Sequence, residues 1–244
     1  PHYCSRRQRQ MCIRDRSGKT LVGEYAIHRA LAHGQKVFYT TPLKALSNQK
    51  LRDFREAYGN DNVGLMTGDL SVNREASIVV MTTEIFRNML YAEASEHDDP
   101  LADVEAVVLD ECHYMNDSQR GTVWEESIIH CPPSVQLVAL SATVANAGQL
   151  TDWIEKVHGP TTLVLSDYRP VPLQFSFCSA KGLHPLLNDA GTGLHPNCKV
   201  WRAPKGHKRK GRSAKPPQPE PPPISFVVAQ MAERDMLPAI YFIF

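Results

Sequence analysis

The sequence predicts an α/β domain in which helices cover both faces of a mainly parallel β-sheet. Short apolar runs rich in β-branched residues recur along the chain, and such runs are typical of buried parallel strands. Segments with helical periodicity lie between these runs. Strands that alternate with helices of this length form βαβ units, and adjacent units produce a three-layer architecture.

Each element has a local signal in the sequence. Strands are predicted at Lys36–Thr40, Ser77–Met81, Ala106–Asp110, Gln136–Leu140 and, as the shortest run, Thr162–Leu165. Helices are predicted at Thr20–His33, Leu43–Tyr58, Thr83–Ala92 and Gln149–Val157. Most of these helices are followed by a glycine, a residue that commonly ends a helix in the left-handed conformation. These glycines are Gly34, Gly59 and Gly159.

The character of the sequence changes after residue 167. Tyr168–Leu173 contains two prolines and is predicted as an extended connector. Pro216–Pro223 favours polyproline II, which packs no core. We interpret 168–236 as an interdomain linker with a basic and Pro-rich insertion, followed within it by a helix at Ile224–Met231. Leu237–Phe244 is predicted as a buried strand, and because a lone terminal strand cannot satisfy its backbone groups, we expect the natural chain to continue.

Composition excludes some classes of protein and leaves others open. With 42% hydrophobic and 22% charged residues, the chain is typical of a soluble globular protein. No apolar run approaches the length of about 20 residues that a membrane span requires, and the Arg-rich start lacks the apolar stretch of a secretory signal. The net charge of +1 indicates no particular partner.

The cysteines indicate a reduced, intracellular protein. The chain has 6 cysteines and no C-x-x-C pair, so they are interpreted as incidental thiols. Cys178, His184, His195 and Cys198 are too irregularly spaced to favour a zinc site.

Ser17-Gly18-Lys19-Thr20 has the pattern of the second half of a phosphate-binding loop and opens a predicted helix. In such loops the backbone amides and the helix N-terminus bind phosphate. Lys19 would reach the β- and γ-phosphates of ATP, and the Thr20 hydroxyl would bind Mg²⁺.

The first half of this loop departs from the expected pattern. Ile13 stands where glycine is expected, and Arg14–Arg16 replaces the small residues that let the backbone curl around phosphate. The preceding residues 4–15 show no strand pattern. One hypothesis is that 1–16 is a non-native segment joined to a genuine domain at 17–167.

A pair of acids, Asp110 and Glu111, stands at the end of the predicted strand at 106–110. Asp110 would hold Mg²⁺, and Glu111 would orient and deprotonate the attacking water. The alternative is a strand followed by an acidic turn. His113, a further catalytic candidate, lies two residues past Glu111, close enough to bond Ser141-Ala142-Thr143 after the next strand. The hydroxyl groups of that segment can couple the acids to a neighbouring domain.

The order of these motifs resembles that of the superfamily 2 helicases, and the finer blocks resemble the superkiller-type (Ski-like) DExH-box RNA helicases. The blocks are Thr41–Lys50, Thr67–Asp69, Met81–Leu90, Asp110–Asp117, Ser141–Ala147 and Tyr168–Leu173. The resemblance implies a RecA-like P-loop NTPase domain at 17–167 and the start of a second, truncated RecA-like domain at 237–244. The insertion resembles cyanobacterial and plastid versions.

The resemblance implies an ATP-dependent RNA helicase that translocates on single-stranded RNA, located in a bacterial cytoplasm or in a plastid. It assigns ATP and Mg²⁺ to Lys19, Thr20, Asp110 and Glu111. It assigns the RNA backbone to the blocks at 41–50, 67–69 and 82–84. Within these blocks the candidate contacts are Pro42, Lys44, Asn48, Gln49, Gly68, Asp69, Thr82, Thr83 and Glu84. Taken singly, each of these blocks can equally be a helix cap.

Other functions remain open at this point. A DNA helicase would use the same backbone contacts. The altered phosphate loop favours a non-catalytic nucleic-acid-binding chain. Because the arginines of the second domain are absent, we expect the chain alone not to unwind duplexes. The basic segment Lys199–Lys215, with Trp201, is either an auxiliary RNA-binding arm or a solvated loop.

Overall fold

The computed structural model describes residues 8–13, 18–91, 99–142, 146–166, 173–188, 190–201 and 221–242. The chain divides into two compact units, Pro1–Val171 and Pro172–Phe244. The domain boundaries that we infer from the sequence, after residues 16, 167 and 236, stay predictions. Among the described helices, none has both the length and the apolar character needed to cross a bilayer.

The first unit alternates strands and helices, with short 3-10 turns at Asn60–Asn62 and Cys112–Asn116. Its elements are β1 (Gln8–Ile13), α1 (Lys19–Ala32), β2 (Lys36–Thr41), α2 (Lys44–Tyr58), β3 (Val63–Met66), β4 (Ser71–Val72), β5 (Ile78–Thr82), α3 (Thr83–Tyr91), β6 (Val104–Leu109), α4 (Gly121–His130), β7 (Gln136–Ser141), α5 (Ala147–Val157) and β8 (Thr161–Ser166).

These strands form one sheet in the order β4-β3-β5-β2-β6-β7-β1-β8. All neighbouring pairs are parallel except β3 with β4. Successive residues of a strand point to opposite faces, and the core divides accordingly. Tyr39 packs with Ile27 of α1 and Phe54 of α2 on one face, whereas Phe38 packs with Phe86 of α3 and Ile128 of α4 on the other. The predicted three-layer α/β fold is confirmed.

The strands and helices predicted from periodicity are all present in this unit, with ends that shift by at most about two residues. The predictions missed α4, β3 and β4. β3 was missed because of Gly64. A Cβ at this position would lie 2.0 Å from the carbonyl oxygen of Asn73. Glycine is therefore required for the close approach, and it weakens the apolar pattern by which a strand is recognised.

The expectation that residues 4–15 contain no strand was wrong. Residues Gln8–Ile13 form β1, which lies between β7 and β8 and pairs in parallel with both; Met11, for example, lies opposite Leu140 and Val164. A strand with neighbours on both sides is held by backbone hydrogen bonds, which do not depend on an apolar side-chain pattern. Residues 14–17, which follow β1, lie outside the described residues.

The second unit contains structure that the linker interpretation did not anticipate. Strands β9 (Ser176–Ser179) and β10 (Gly182–Pro185) form an antiparallel hairpin, and a 3-10 turn spans Pro196–Trp201. Helix α6 (Ile224–Ala232) confirms the predicted helix. Within the described residues no group of His, Cys, Asp and Glu has the arrangement of a metal site.

The strand predicted at Leu237–Phe244 is not present in its described part. Residues 237–242 have no strand conformation, and Ile240 and Phe242 are exposed. A strand requires a neighbour to complete its hydrogen-bond ladder, and none pairs with these residues in the part of the unit that the structure describes. The basic segment falls mostly on 202–220, outside the described residues, so both interpretations of it stay open.

Candidate functional site

The residues singled out from the sequence collect at one edge of the sheet. Parallel strands β2, β5, β6 and β7 end at Thr41, Thr82, Leu109 and Ser141, respectively. The carboxyl ends of neighbouring parallel strands lie side by side, and this edge is where open α/β sheets bind ligands. The strand order places the loops after β6 and β7 in one half of the edge and those after β2, β3 and β5 in the other.

Helix α1 presents its N-terminus at this edge. Gly18 precedes the helix with φ of +84°, a left-handed conformation that favours glycine. Lys19 is the first helical residue and is only 8% exposed. The amides of a first helical turn have no intrahelical acceptor, and together with the helix dipole they form an anion-binding position. Ser17 lies outside the described residues.

Lys19 and Glu111 come together at this edge of the sheet. Nζ of Lys19 lies 3.8 Å from Oε2 of Glu111, and Nδ1 of His113 lies 3.1 Å from the same oxygen. Glu111 has φ of +52°, a left-handed conformation that is uncommon outside glycine and occurs where surrounding structure enforces it. This conformation turns the chain from β6 into the 3-10 turn and brings the carboxylate close to Lys19.

The carboxylate of Asp110 is fixed by two hydrogen bonds. The Tyr39 hydroxyl donates to Oδ2 at 2.8 Å, and the Glu111 amide donates to Oδ1 at 2.9 Å. Burial raises the pKa of Tyr39 well above its ordinary value, and the nearby Asp110 charge raises it further. Tyr39 therefore stays protonated and remains a hydrogen-bond donor.

Tyr39 could not be recognised from the sequence because it appears there only as one more apolar strand residue. Its neighbour on α1 is Gly23, where a Cβ would lie 2.8 Å from Cε2 of the Tyr39 ring. The glycine thus lets α1 pack closely over the tyrosine that holds Asp110.

Lys50 is a second residue that sequence reasoning did not assign to this half. Its ammonium donates a hydrogen bond of 3.1 Å to Oγ1 of Thr20 and lies 5.4 Å from the centroid of the Tyr39 ring. Lys50 belongs to the block 41–50, which the family resemblance assigns to RNA. The structure shows that α2 also reaches the phosphate-loop threonine.

The groups in this half fit a nucleotide with a hard cation. The Thr20 hydroxyl and the Asp110 carboxylate are oxygen donors of the kind that Mg²⁺ prefers. The ammonium of Lys19 and the N-terminus of α1 suit phosphate. Ser141 is fully buried, and its hydroxyl has no hydrogen-bond partner among the described residues. Thr143 is outside those residues, so the expected bond between His113 and this segment stays a prediction.

The residues assigned to RNA lie in the other half of the edge and differ in exposure. The exposed members are Lys44, Asn48, Gln49, Gly68 and Asp69; Glu84 is intermediate, and the buried members are Pro42, Thr82 and Thr83. Thr83 uses its hydroxyl internally, donating 3.3 Å to the carbonyl oxygen of Thr41.

Two of the sequence blocks in this half are joined by an ion pair. Nζ of Lys44 lies 2.9 Å from Oδ1 of Asp69, and the Thr67 hydroxyl donates to the same oxygen at 2.9 Å. The hydrogen bonds from Lys44 and then from Thr67 lower the pKa of Asp69. Asp69 is therefore ionised at neutral pH, with its charge offset by Lys44.

Arg120 joins the block at 41–50 to the block that contains Glu84, and it was missed in the sequence. Its guanidinium donates to the carbonyl oxygen of Pro42 at 2.6 Å and to the carboxylate of Glu84. The only sequence signal is its position just after the block 110–117. Such long-range partners cannot be read from a local pattern.

Proteins that already have names resemble this chain in sequence. The DEAD/DEAH box helicase family matches residues 4–150. The chain is 43% identical, over 93% of its length, to the DExH-box ATP-dependent RNA helicase DExH15 chloroplastic of Arabidopsis thaliana, and covers 23% of that protein. It is 46% identical, over 74% of its length, to the antiviral helicase SKI2 of Saccharomyces cerevisiae, and covers 14% of it. The chain thus spans a quarter or less of the length of these relatives.

A solved structure shares the fold. The crystal structure of the DUF1998 helicase MrfA bound to DNA matches with a TM-score of 0.52 and 20% identity, over 65% of this chain and 25% of that one. The fold, the converging lysine and acid pair, and the family match agree with one another. This chain belongs to the DEAD/DEAH box helicase family, and its relatives place it in the Ski-like DExH branch.

Proposed function

We propose that the chain is the nucleotide-binding motor domain of an ATP-dependent RNA helicase, in which ATP hydrolysis drives translocation along single-stranded RNA and unwinding. The observation that carries this proposal is the approach of Lys19 to Glu111, 3.8 Å apart at the carboxyl edge of the sheet. A lysine at a helix start and an acid pair at a strand end are the groups that phosphoryl transfer requires.

Each residue in this half has a role that follows from its contacts. Lys19 binds the terminal phosphates and offsets their charge. Glu111 accepts a proton from the attacking water, and Nδ1 of His113 lies 3.1 Å from its Oε2. Thr20 and Asp110 would hold Mg²⁺, which when bound neutralises phosphate charge. Tyr39 keeps Asp110 oriented through its 2.8 Å hydrogen bond.

The other half of the edge suits a nucleic-acid backbone. Lys44, Asn48 and Gln49 are exposed on the first turns of α2, and α2 and α3 both start at this edge. Amides at helix starts, together with a lysine, bind phosphates without reading bases. Binding of this kind is tolerant of sequence and sensitive to salt.

The choice of RNA is supported by the relative DExH15, which is named as an ATP-dependent RNA helicase. The name of that relative also supports a plastid location, while a bacterial cytoplasm is the other location that we propose. A direct test of the substrate compares ATP hydrolysis in the presence of oligouridylate RNA and of oligothymidylate DNA. Stronger stimulation by the DNA would select the DNA helicase instead.

The nucleotide site is tested by substitution of Lys19. Lys19→Ala is expected to weaken binding of a fluorescent ATP analogue at least about tenfold, because charge-assisted hydrogen bonds to phosphate are lost. Lys36→Ala is the matched control, since this lysine pairs with Glu75 at 3.2 Å at the start of β2, the opposite end of the strand. If the unsubstituted chain itself binds no nucleotide, the non-catalytic alternative holds instead.

A further inference from the structure

The contacts of Arg120 connect parts of the chain that are far apart in the sequence. One nitrogen, Nη2, donates both to the Pro42 carbonyl oxygen at 2.6 Å and to the Glu84 carboxylate. Pro42 lies in the loop after β2, and Glu84 lies in the first turn of α3. The geometry points to Arg120 as a positioning residue that holds these two segments in the arrangement that binds a phosphate backbone, an inference that rests on the proposed function.

The ion pair between Arg120 and Glu84 also offsets a negative charge at this surface. An unpaired carboxylate at Glu84 would repel a polyanion that approached the start of α3. Pairing with Arg120 offsets that charge, as Lys44 offsets the charge of Asp69 at 2.9 Å. Both acceptors of Arg120 are bound by Nη2, and we infer that its effect on the nucleic acid passes through the loops that it holds.

Arg120 is also bonded to the segment that follows Asp110 and Glu111. Its backbone amide donates to Oδ1 of Asp117 at 3.0 Å. Asp117 directly follows the 3-10 turn Cys112–Asn116, which begins after Glu111. The next residue, Gly121, packs so closely on this turn that a Cβ would lie 2.2 Å from the Met115 carbonyl oxygen. Arg120 thus connects the acid-bearing segment of one half with the loops of the other.

The chain offers a matched control for this arginine. Arg87 of α3 pairs with Glu126 of α4 at 3.5 Å, with the two side chains 29% and 37% exposed. The corresponding values for Arg120 and Glu84 are 34% and 33%. Both pairs link α3 to α4 or its N-terminus, but Arg120 additionally bonds the loop after β2.

The experiment measures binding of fluorescent oligouridylate RNA to the 244-residue chain by anisotropy across a range of salt concentrations. Arg120→Ala is expected to bind about tenfold more weakly, the order of effect of a lost charge-assisted hydrogen bond. The slope of log affinity against log salt should stay unchanged, since a positioning residue contacts no phosphate. Arg87→Ala should bind within about twofold of the unsubstituted chain.

Other outcomes have defined meanings. A slope that falls by about one for Arg120→Ala indicates direct phosphate contact and overturns the positioning role. Equal affinities of Arg120→Ala and Arg87→Ala also overturn it. If circular dichroism shows that Arg120→Ala is unfolded, Arg120→Lys decides: this shorter side chain keeps the charge, so weaker binding at unchanged slope supports the inference, and full affinity overturns it. Failure of the unsubstituted chain to bind RNA overturns the proposed function as well.

Discussion

The two halves of the carboxyl edge of the sheet differ in how far their charged side chains are exposed to water. In the half that we propose binds nucleotide, Lys19 is 8% exposed and approaches Glu111 directly, while Tyr39 holds Asp110 from within the core. In the half that we propose binds nucleic acid, Lys44 and Asp69 are paired on the surface, with 56% and 70% of their side chains exposed. Electrostatic interactions strengthen as groups leave water, so the buried half suits a compact, densely charged ligand.

The exposed half suits a different ligand. A nucleic-acid strand is long and must be able to slide, so its contacts are individually weak and screened by salt. The comparison therefore predicts that substitutions in the buried half have large effects on chemistry and stability. Substitutions of exposed residues that contact the strand directly, such as Lys44, should have small effects on affinity, together with changes in salt dependence.

The largest effect is expected at Glu111. Glu111→Gln should lower single-turnover ATP hydrolysis about 10²–10⁴-fold, the usual contribution of a general base. Affinity for ATP should change little, because the amide keeps the size of the side chain. Exposed Glu75 provides the control variant, Glu75→Gln. Hydrolysis that survives in Glu111→Gln would show that another group deprotonates the water.

An intermediate effect is expected at Tyr39. Tyr39→Phe should lower the free energy of unfolding by about 1 kcal/mol, because the hydrogen bond to Asp110 is lost. The folded-state pKa of Tyr39 lies above its ordinary value of 10.0. The stabilisation is thus present below pH 10.0 and is lost as the pH rises from there through the folded-state pKa.

This pH dependence is measured by thermal melting of both proteins at increasing pH. The stability difference between the unsubstituted chain and Tyr39→Phe should shrink in the alkaline range. Tyr25→Phe serves as the control, because Tyr25 is exposed on α1. A difference that stays constant through the alkaline range would show that the pKa of Tyr39 does not contribute to stability.

The smallest effect is expected at Lys44. Lys44→Gln should weaken RNA binding only about threefold, with a salt slope reduced by about one, if the lysine contacts phosphate. Its melting temperature should not change, because an exposed ion pair contributes little to stability. Arg52→Gln, at an exposed position farther along α2, is the control. A loss of RNA affinity comparable to that of Arg120→Ala would contradict the contrast between the halves.

Much of this site was predictable because its signals are local. Lys19 and Thr20 open a helix, and Asp110 and Glu111 follow an apolar strand, so each motif carries its own structural context. Arg120 was not predictable, because its partners Pro42 and Glu84 lie 78 and 36 residues away in the sequence. Lys50 was assigned to RNA by its block, whereas in the structure it bonds Thr20.

By itself, the sequence determined the alternation of strands and helices, the edge of the sheet at which the motifs lie, and the family. These properties depend on periodicity and on short motifs, which act within a few residues. Only the tertiary structure decided the strand order, the place of β1 between β7 and β8, and the partners of Tyr39, Lys50 and Arg120. These depend on backbone pairing and packing between segments distant along the chain, which no local pattern records.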